Sequence, residues 1–199
     1  LRKSIPVQKV SKVTFPAKII TDKPYFAYRG AHLDSARHFF SADSVRIYID
    51  MLALHNINKF HWHLTDDQGW RFESKKYPEL TVVGSKRSQT MIAKEWEKFD
   101  GKPHSGFYTQ QEMKELVKYA ADRNITIIPE IDLPGHMVAV LATYPKLGCT
   151  GGPYKVRETW GVAEDVLCAG NDETYNFIKN ILEEVTEIFP SEYIHIGGD

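Results

Sequence analysis

The chain has 199 residues, 42% hydrophobic and 26% charged, a mixture that excludes collagen-like, low-complexity and disordered classes. Its 25 Lys and Arg side chains nearly balance 26 Asp and Glu to leave a net charge of -1, so no overall field draws in DNA, RNA or an anionic membrane. No apolar run approaches the roughly 18 residues of a membrane span, and Leu1 to Val7 lacks the apolar middle and cleavage site of a signal peptide.

Residues 1–24 are mixed in character, carry Pro6, Pro16 and Pro24, and read as a linker or the end of a preceding domain. The first β-rich run is Tyr28 to Asp34. Val45, Tyr48, Ile49, Leu52 and Ala53 then follow helical spacing. The next run, Lys59 to Asp66, puts Trp62, Leu64 and Asp66 on one strand face and His61 and His63 on the other. After a long loop, Thr109 and Glu112 form a capping box for a helix carrying Met113, Leu116, Val117, Ala120 and Ala121, with Asn124 as its stop. Ile125 to Asp132 is nearly continuously apolar at its start, as in a parallel strand covered on both faces. A second long loop leads to a helix over Ile178, Ile181, Leu182, Val185 and Phe189, ended by Pro190, and to a last run from Tyr193 to Asp199.

Strand and helix in alternation predict an α/β domain with a parallel sheet. Each strand candidate ends in aspartate: Asp34, Asp66, Asp132 and Asp199. Acidic groups at the carboxyl ends of successive strands mark the active-site end of a (β/α)8 barrel; the plainer alternative is helix capping at strand-to-helix turns. A full barrel takes about 250 residues and eight strands, so four strand candidates predict a half barrel with long loops or a truncated one. The loops 67–108 and 133–170 are long enough to be functional.

His61-x-His63 could ligate a metal together with His136 and an aspartate, or could pack between sheet and helix. In Glu130-Ile-Asp-Leu-Pro-Gly-His136 the Pro134-Gly135 pair turns the chain and returns His136 over the strand end, where a carboxylate would fix its tautomer for a proton relay. The glycines of His195-Ile-Gly-Gly-Asp199 permit close approach of a ligand or another backbone. Arg29 and Arg37 could grip hydroxyls or carboxylates, or pair with Asp34 and only hold their loop. Trp62, Trp70, Trp96 and Trp160 lie in or beside strand-end loops, where an aromatic face can stack on a sugar or simply fill the core. Cys149 and Cys168 form neither a disulfide-rich framework nor a CxxC motif; they could pair across one loop or stay as two buried thiols.

Together the segments RGAHLDSARHF (29–39), HWHLTDDQGWR (61–71), SGFYTQQE (105–112), PEIDLPGH (129–136), WGVAEDVLCAGN (160–171) and HIGGD (195–199) resemble the family 20 glycoside hydrolases, the β-N-acetylhexosaminidases. The resemblance implies a (β/α)8 TIM barrel, of which residues 25–199 are the first four βα units. It implies removal of non-reducing terminal β-linked N-acetylglucosamine or N-acetylgalactosamine with retention, the substrate's own acetamido group acting as nucleophile. By motif, Asp199 is the aspartate that orients that group, Arg37 binds ring hydroxyls, and Asp66 and His136, with Asp132 beside them, support the general acid's protonation cycle. Trp160 belongs to the substrate-binding loop.

The family motif continues with the catalytic glutamate directly after Asp199, so the 199 residues alone are expected to be inactive or nearly so, and their unpaired strand edges and uncovered apolar helix faces predict self-association or a missing remainder. The implied partner is an oligosaccharide or glycoconjugate with a terminal N-acetylhexosamine, as in chitin or glycan degradation. No cofactor, metal or nucleic acid is implied, and the substrate class points to an extracytoplasmic location. The competing readings are a metal-dependent TIM-barrel hydrolase using His61, His63, His136 and Asp199, and a non-catalytic N-acetylhexosamine-binding module that keeps Arg37 and the aromatic loops.

Overall fold

The computed structural model describes residues 8–17, 19–93 and 95–199. Residues 8–17 and 19–29 contain no helix or strand, and the expected linker over residues 1–7 lies outside the described residues. The chain then forms β1 (Gly30–Asp34), α1 (Ala42–Leu54), β2 (Lys59–His63), the two-residue strands β3 (Thr65–Asp66), β4 (Gly69–Trp70), β5 (Lys86–Arg87) and β6 (His104–Ser105), α2 (Gln110–Ala121), β7 (Thr126–Leu133), α3 (Val138–Thr143), α4 (Asp172–Ile188) and β8 (His195–Gly197).

The main sheet has the order β1-β2-β7-β8 with every pair parallel. The order follows the chain without reversal, as in a barrel wall and unlike a doubly wound sheet. Alternation along the strands explains the two faces. Phe60 and Trp62 of β2 and Ile127 and Ile131 of β7 join Val45, Ile49, Met113, Leu116, Phe177, Ile181 and Val185 of the helices in one buried cluster. The intervening positions, His61, His63, Glu130 and Asp132, turn to the other face.

The helix readings hold locally. Ser41 caps α1 through Ser44 N, and the Thr109–Glu112 capping box starts α2 with both of its reciprocal bonds. Asn124 adopts a positive φ of 58° just past that helix, as a stop residue does. Helix α4 begins at Asp172, capped by Asn171, a turn and a half before the apolar spacing reveals it.

One strand departs from expectation. Lys59 to Asp66 is not continuous: β2 stops at His63, and Thr65–Asp66 turns off into an antiparallel hairpin with Gly69–Trp70. Asp66 therefore leaves the face of Trp62 and swings to that of His63, its carboxylate 2.8 Å from His63 Nε2. The helical stretch α3 sits inside the second long loop, and Cys149 and Cys168 close that loop as a disulfide.

Candidate active site

The register of the sheet sets Asp34, His63, Glu130 and His195 in one row across all four strands. Glu130 is the hub of this row: its carboxylate lies 2.5 Å from His61 Nε2, 2.7 Å from His63 Nδ1 and 3.0 Å from His195 Nδ1. Burial alone would raise its pKa, but hydrogen bonds from His61 and His63 hold the carboxyl well below the usual range. His63 is 3% exposed, and burial opposes its charge; hydrogen bonds to Asp66 and Glu130 nonetheless push it up to about 9.

Above this row, toward the carboxyl ends of the strands, Asp66 gathers four groups. Its Oδ2 accepts from His63 Nε2 and pairs at 2.7 Å with Arg37 Nη2, while its Oδ1 accepts the Asp67 N–H at 2.7 Å and lies 3.2 Å from His136 Nδ1. The bend that ends β2 at Leu64 is what aims both Asp66 and Asp67 at this point.

His136 arrives from the other side. Pro134, after a cis peptide bond, and Gly135 reverse the chain, and His136 takes a positive φ of 53° that returns its ring over the strand ends. Its Nε2 is 3.3 Å from Asp199 Oδ2, and its Nδ1 is also 3.3 Å from Asp67 Oδ2. Nδ1 meets both aspartates at ion-pair distance without the alignment of a hydrogen bond. Burial lowers its pKa, but Asp66 and then Asp67 outweigh it and the net shift is upward.

Asp132 completes the cluster. Burial, followed by the nearby Asp199 charge, pushes its pKa up to about 6, and its Oδ1 has no hydrogen-bond partner. Gly197 makes this closeness possible, because a Cβ there would overlap Asp132 Oδ1. Gly135 similarly leaves room for the Asp199 backbone, donating its N–H to Asp199 O at 3.0 Å. A cluster of carboxylates and imidazoles with pKa values driven apart is an arrangement suited to proton transfer and to holding a developing positive charge.

The structure thus brings together Arg37, Asp66, Asp132, His136 and Asp199. It separates others. Arg29 does not face this cluster; its guanidinium holds the Asn56, Phe26 and Ala27 carbonyls near the amino end of β1. Trp62 and Trp70 are fully buried in the core, so neither is a stacking platform. Trp160 is half-buried, in a loop whose Arg157 pairs with Asp67 Oδ2 at 3.4 Å. Arg37 also contacts Asp34 Oδ2 at 3.2 Å, so it holds its own loop as well as facing the site.

The sequence did not single out Asp67 or Arg157, and Glu130 stood out only as the start of the run to His136. The doubled aspartate of Asp66-Asp67 was the available signal.

Four donor sets among the described residues, His32/His61/Glu130, His63/Asp66/Asp132, Asp66/Asp67/His136 and Asp132/His136/Asp199, have atoms close enough to share a cation. In the first two, His61 Nε2 and both nitrogens of His63 are already committed to carboxylates at hydrogen-bond distance. The donor chemistry of these two sets therefore fits a proton network better than a metal centre.

The model of "Glycosyl hydrolase family 20, catalytic domain" matches residues 26–199. A β-hexosaminidase of Porphyromonas gingivalis is 50% identical over 187 residues, covering 94% of this chain and 23% of that protein. One from Akkermansia muciniphila is 43% identical, covering 92% of this chain and 36% of that protein. A crystal structure of a β-N-acetylhexosaminidase superimposes with a TM-score of 0.84 at 44% identity over 90% of this chain and 37% of its own. A mutant Streptomyces plicatus β-hexosaminidase in complex with its product GlcNAc gives 0.78 at 40% identity, over 88% of this chain and 33% of its own. The chain spans between about a quarter and two fifths of the length of these relatives.

Proposed function

Because the chain belongs to glycosyl hydrolase family 20 and carries part of its TIM-barrel catalytic domain, we propose that the whole protein removes non-reducing terminal β-linked N-acetylglucosamine or N-acetylgalactosamine from oligosaccharides or glycoconjugates. The observation that carries this reading is the contact between His136 and Asp199, with Asp66 on the far side of the same imidazole.

The reaction has two displacements. The acetamido oxygen of the substrate attacks its own anomeric carbon, forming an oxazolinium ion as the glycosidic bond breaks. Asp199 orients the acetamide and stabilises the positive charge that develops on it. A general acid protonates the leaving oxygen; the family motif puts that glutamate immediately after Asp199. Water then opens the oxazolinium ring, and the same residue takes its proton. Arg37 binds ring hydroxyls and Trp160 contributes to the sugar pocket. Asp66 and His136, with Asp132 nearby, bias the acid's proton affinity between the two steps.

Residues 25–199 are the N-terminal part of the barrel domain, and residues 1–24 are the run-in to it. The glutamate that the family motif puts after Asp199 acts as the general acid of this reading, so turnover is expected of the full-length protein. Self-association of this isolated piece would be favoured by the exposed side chains of Ile47 and Met51 on α1. Action outside the cytoplasm agrees with the substrate class and with the Cys149–Cys168 disulfide. No helix is long and apolar enough to cross a membrane among the described residues.

Product stereochemistry tests the proposal. Proton NMR of the full-length protein acting on a short chitin oligosaccharide is expected to show the β-anomer of the released sugar first, since two displacements restore configuration. The α-anomer first, or no release, would overturn it.

A further inference from the structure

His63 is the residue in the strand row whose two ring nitrogens both face carboxylates at hydrogen-bond distance. Nδ1 is 2.7 Å from Glu130 Oε2 and Nε2 is 2.8 Å from Asp66 Oδ2. A neutral imidazole has one N–H, so it could satisfy one of these contacts and would present a lone pair to the other carboxylate. Two protons are needed, and they must sit on the ring or on a carboxylate. Glu130 already faces His61 and His195, and Asp66 already accepts from Arg37 and from the Asp67 N–H, so both carboxylates are supplied as anions. Arg37 Nη1 also lies 3.3 Å from His63 Nε2, a longer contact than the 2.8 Å from that nitrogen to Asp66 Oδ2, and Nη1 has an acceptor of its own in Asp34 Oδ2 at 3.2 Å while Nη2 pairs with Asp66 Oδ2.

We infer that His63 is a standing imidazolium and a positioning residue, clamping Asp66 through Oδ2 so that Oδ1 is left to face His136. This rests on the proposed function and extends it from the site inward: Glu130, one layer deeper, holds the far side of the ring and so fixes its orientation. The charged and titratable groups around His63 are Asp34 and His32 of β1, Arg37 of the following loop, Asp66 of β3, and Glu130 and Asp132 of β7. Removing one cation from that set makes proton uptake by the remaining carboxylates easier. It would therefore move the acidic limb of the rate profile to higher pH.

Two measurements on the full-length protein test this. The first is the 15N spectrum of the histidine rings in the wild type, where His63 is expected to show two protonated nitrogens at neutral pH; a neutral tautomer there would overturn the inference. The second compares wild type and His63→Gln, which keeps bulk and one donor but no charge, for hydrolysis of an aryl N-acetyl-β-glucosaminide across the acid and neutral range. The expected loss in kcat is about 10- to 100-fold, the size seen for outer partners of a functional group, with KM little changed and the acidic limb displaced upward. A profile lowered in parallel, without displacement, would mean that His63 only supports the fold and would overturn the positioning role. If His63→Gln does not fold, the 15N spectrum still decides. A wild type that releases no N-acetylhexosamine would overturn the functional reading, and the positioning role with it, whatever the charge on His63.

Discussion

His136 Nε2 and Asp199 Oδ2 stand 3.3 Å apart, joining the loop after β7 to the end of β8 across the mouth of the sheet. The contact depends on two backbone features: the positive φ of His136, and Gly135, whose missing Cβ admits the Asp199 carbonyl. It links the residue that would orient the acetamide to the imidazole that answers to Asp66.

Asp132 is held at a cost in stability. Its pKa rises from 3.8 to about 6 through burial and the Asp199 charge. A carboxyl with a raised folded pKa binds its proton more tightly when folded, so its favourable contribution is present in acid and is lost as the pH rises between those two values. Asp132→Asn is therefore expected to stabilise the protein by about 3 kcal/mol above that window, to leave stability in acid nearly unchanged, and to reduce activity. Urea unfolding in acid and at neutral pH measures this; parallel pH dependence in the two proteins would contradict it.

Arg71 is fully buried and spends its guanidinium on carbonyls. It donates to Ser35, Ala36, Ser85 and Gly106 oxygens at 2.7 to 3.2 Å, tying the loop that carries Arg37 to two distant segments. A lysine cannot reproduce that fork. Arg71→Lys is expected to lower stability by about 3 kcal/mol, the cost of leaving more than one buried acceptor unpaired. It should also raise KM as Arg37 loses its footing. Thermal unfolding with steady-state kinetics checks both, and a variant indistinguishable in stability would refute the role.

The Cys149–Cys168 bridge closes a loop with a sequence separation of 19 that carries Arg157 and Trp160. Replacing both cysteines by serine is expected to cost about 3 kcal/mol. It should also raise KM more than it lowers kcat, because the loop contacts the site through Asp67 and carries Trp160, the residue proposed to contribute to the sugar pocket. An unchanged KM would exclude the loop from substrate binding.

Much of this was legible in the sequence because it is local. Capping at Thr109, the stop at Asn124 and the turn at Pro134-Gly135 each involve neighbours within a few residues. The strand-end aspartates marked the site end of the sheet for the same reason. What escaped was set by distant pairing. Period two alone continues β2 through Asp66, whereas the hairpin with Gly69–Trp70 takes Asp66 away at Leu64. Glu130 became a hub through its registry with His63 and His195, which no spacing within β7 reveals. Arg29 and Arg37 look alike eight positions apart; β1 runs between them and delivers them to different places.

The most direct test of the account compares the full-length protein and its Asp199→Asn variant on two aryl β-glucosides, one carrying the 2-acetamido group and one carrying a plain hydroxyl. Strong preference for the acetamido sugar in the wild type, with a loss of about 100-fold or more in the variant, is the expected result, since the nucleophile belongs to the substrate and Asp199 serves it. Equal rates on the two sugars, or an acetamido preference untouched by Asp199→Asn, would contradict substrate assistance.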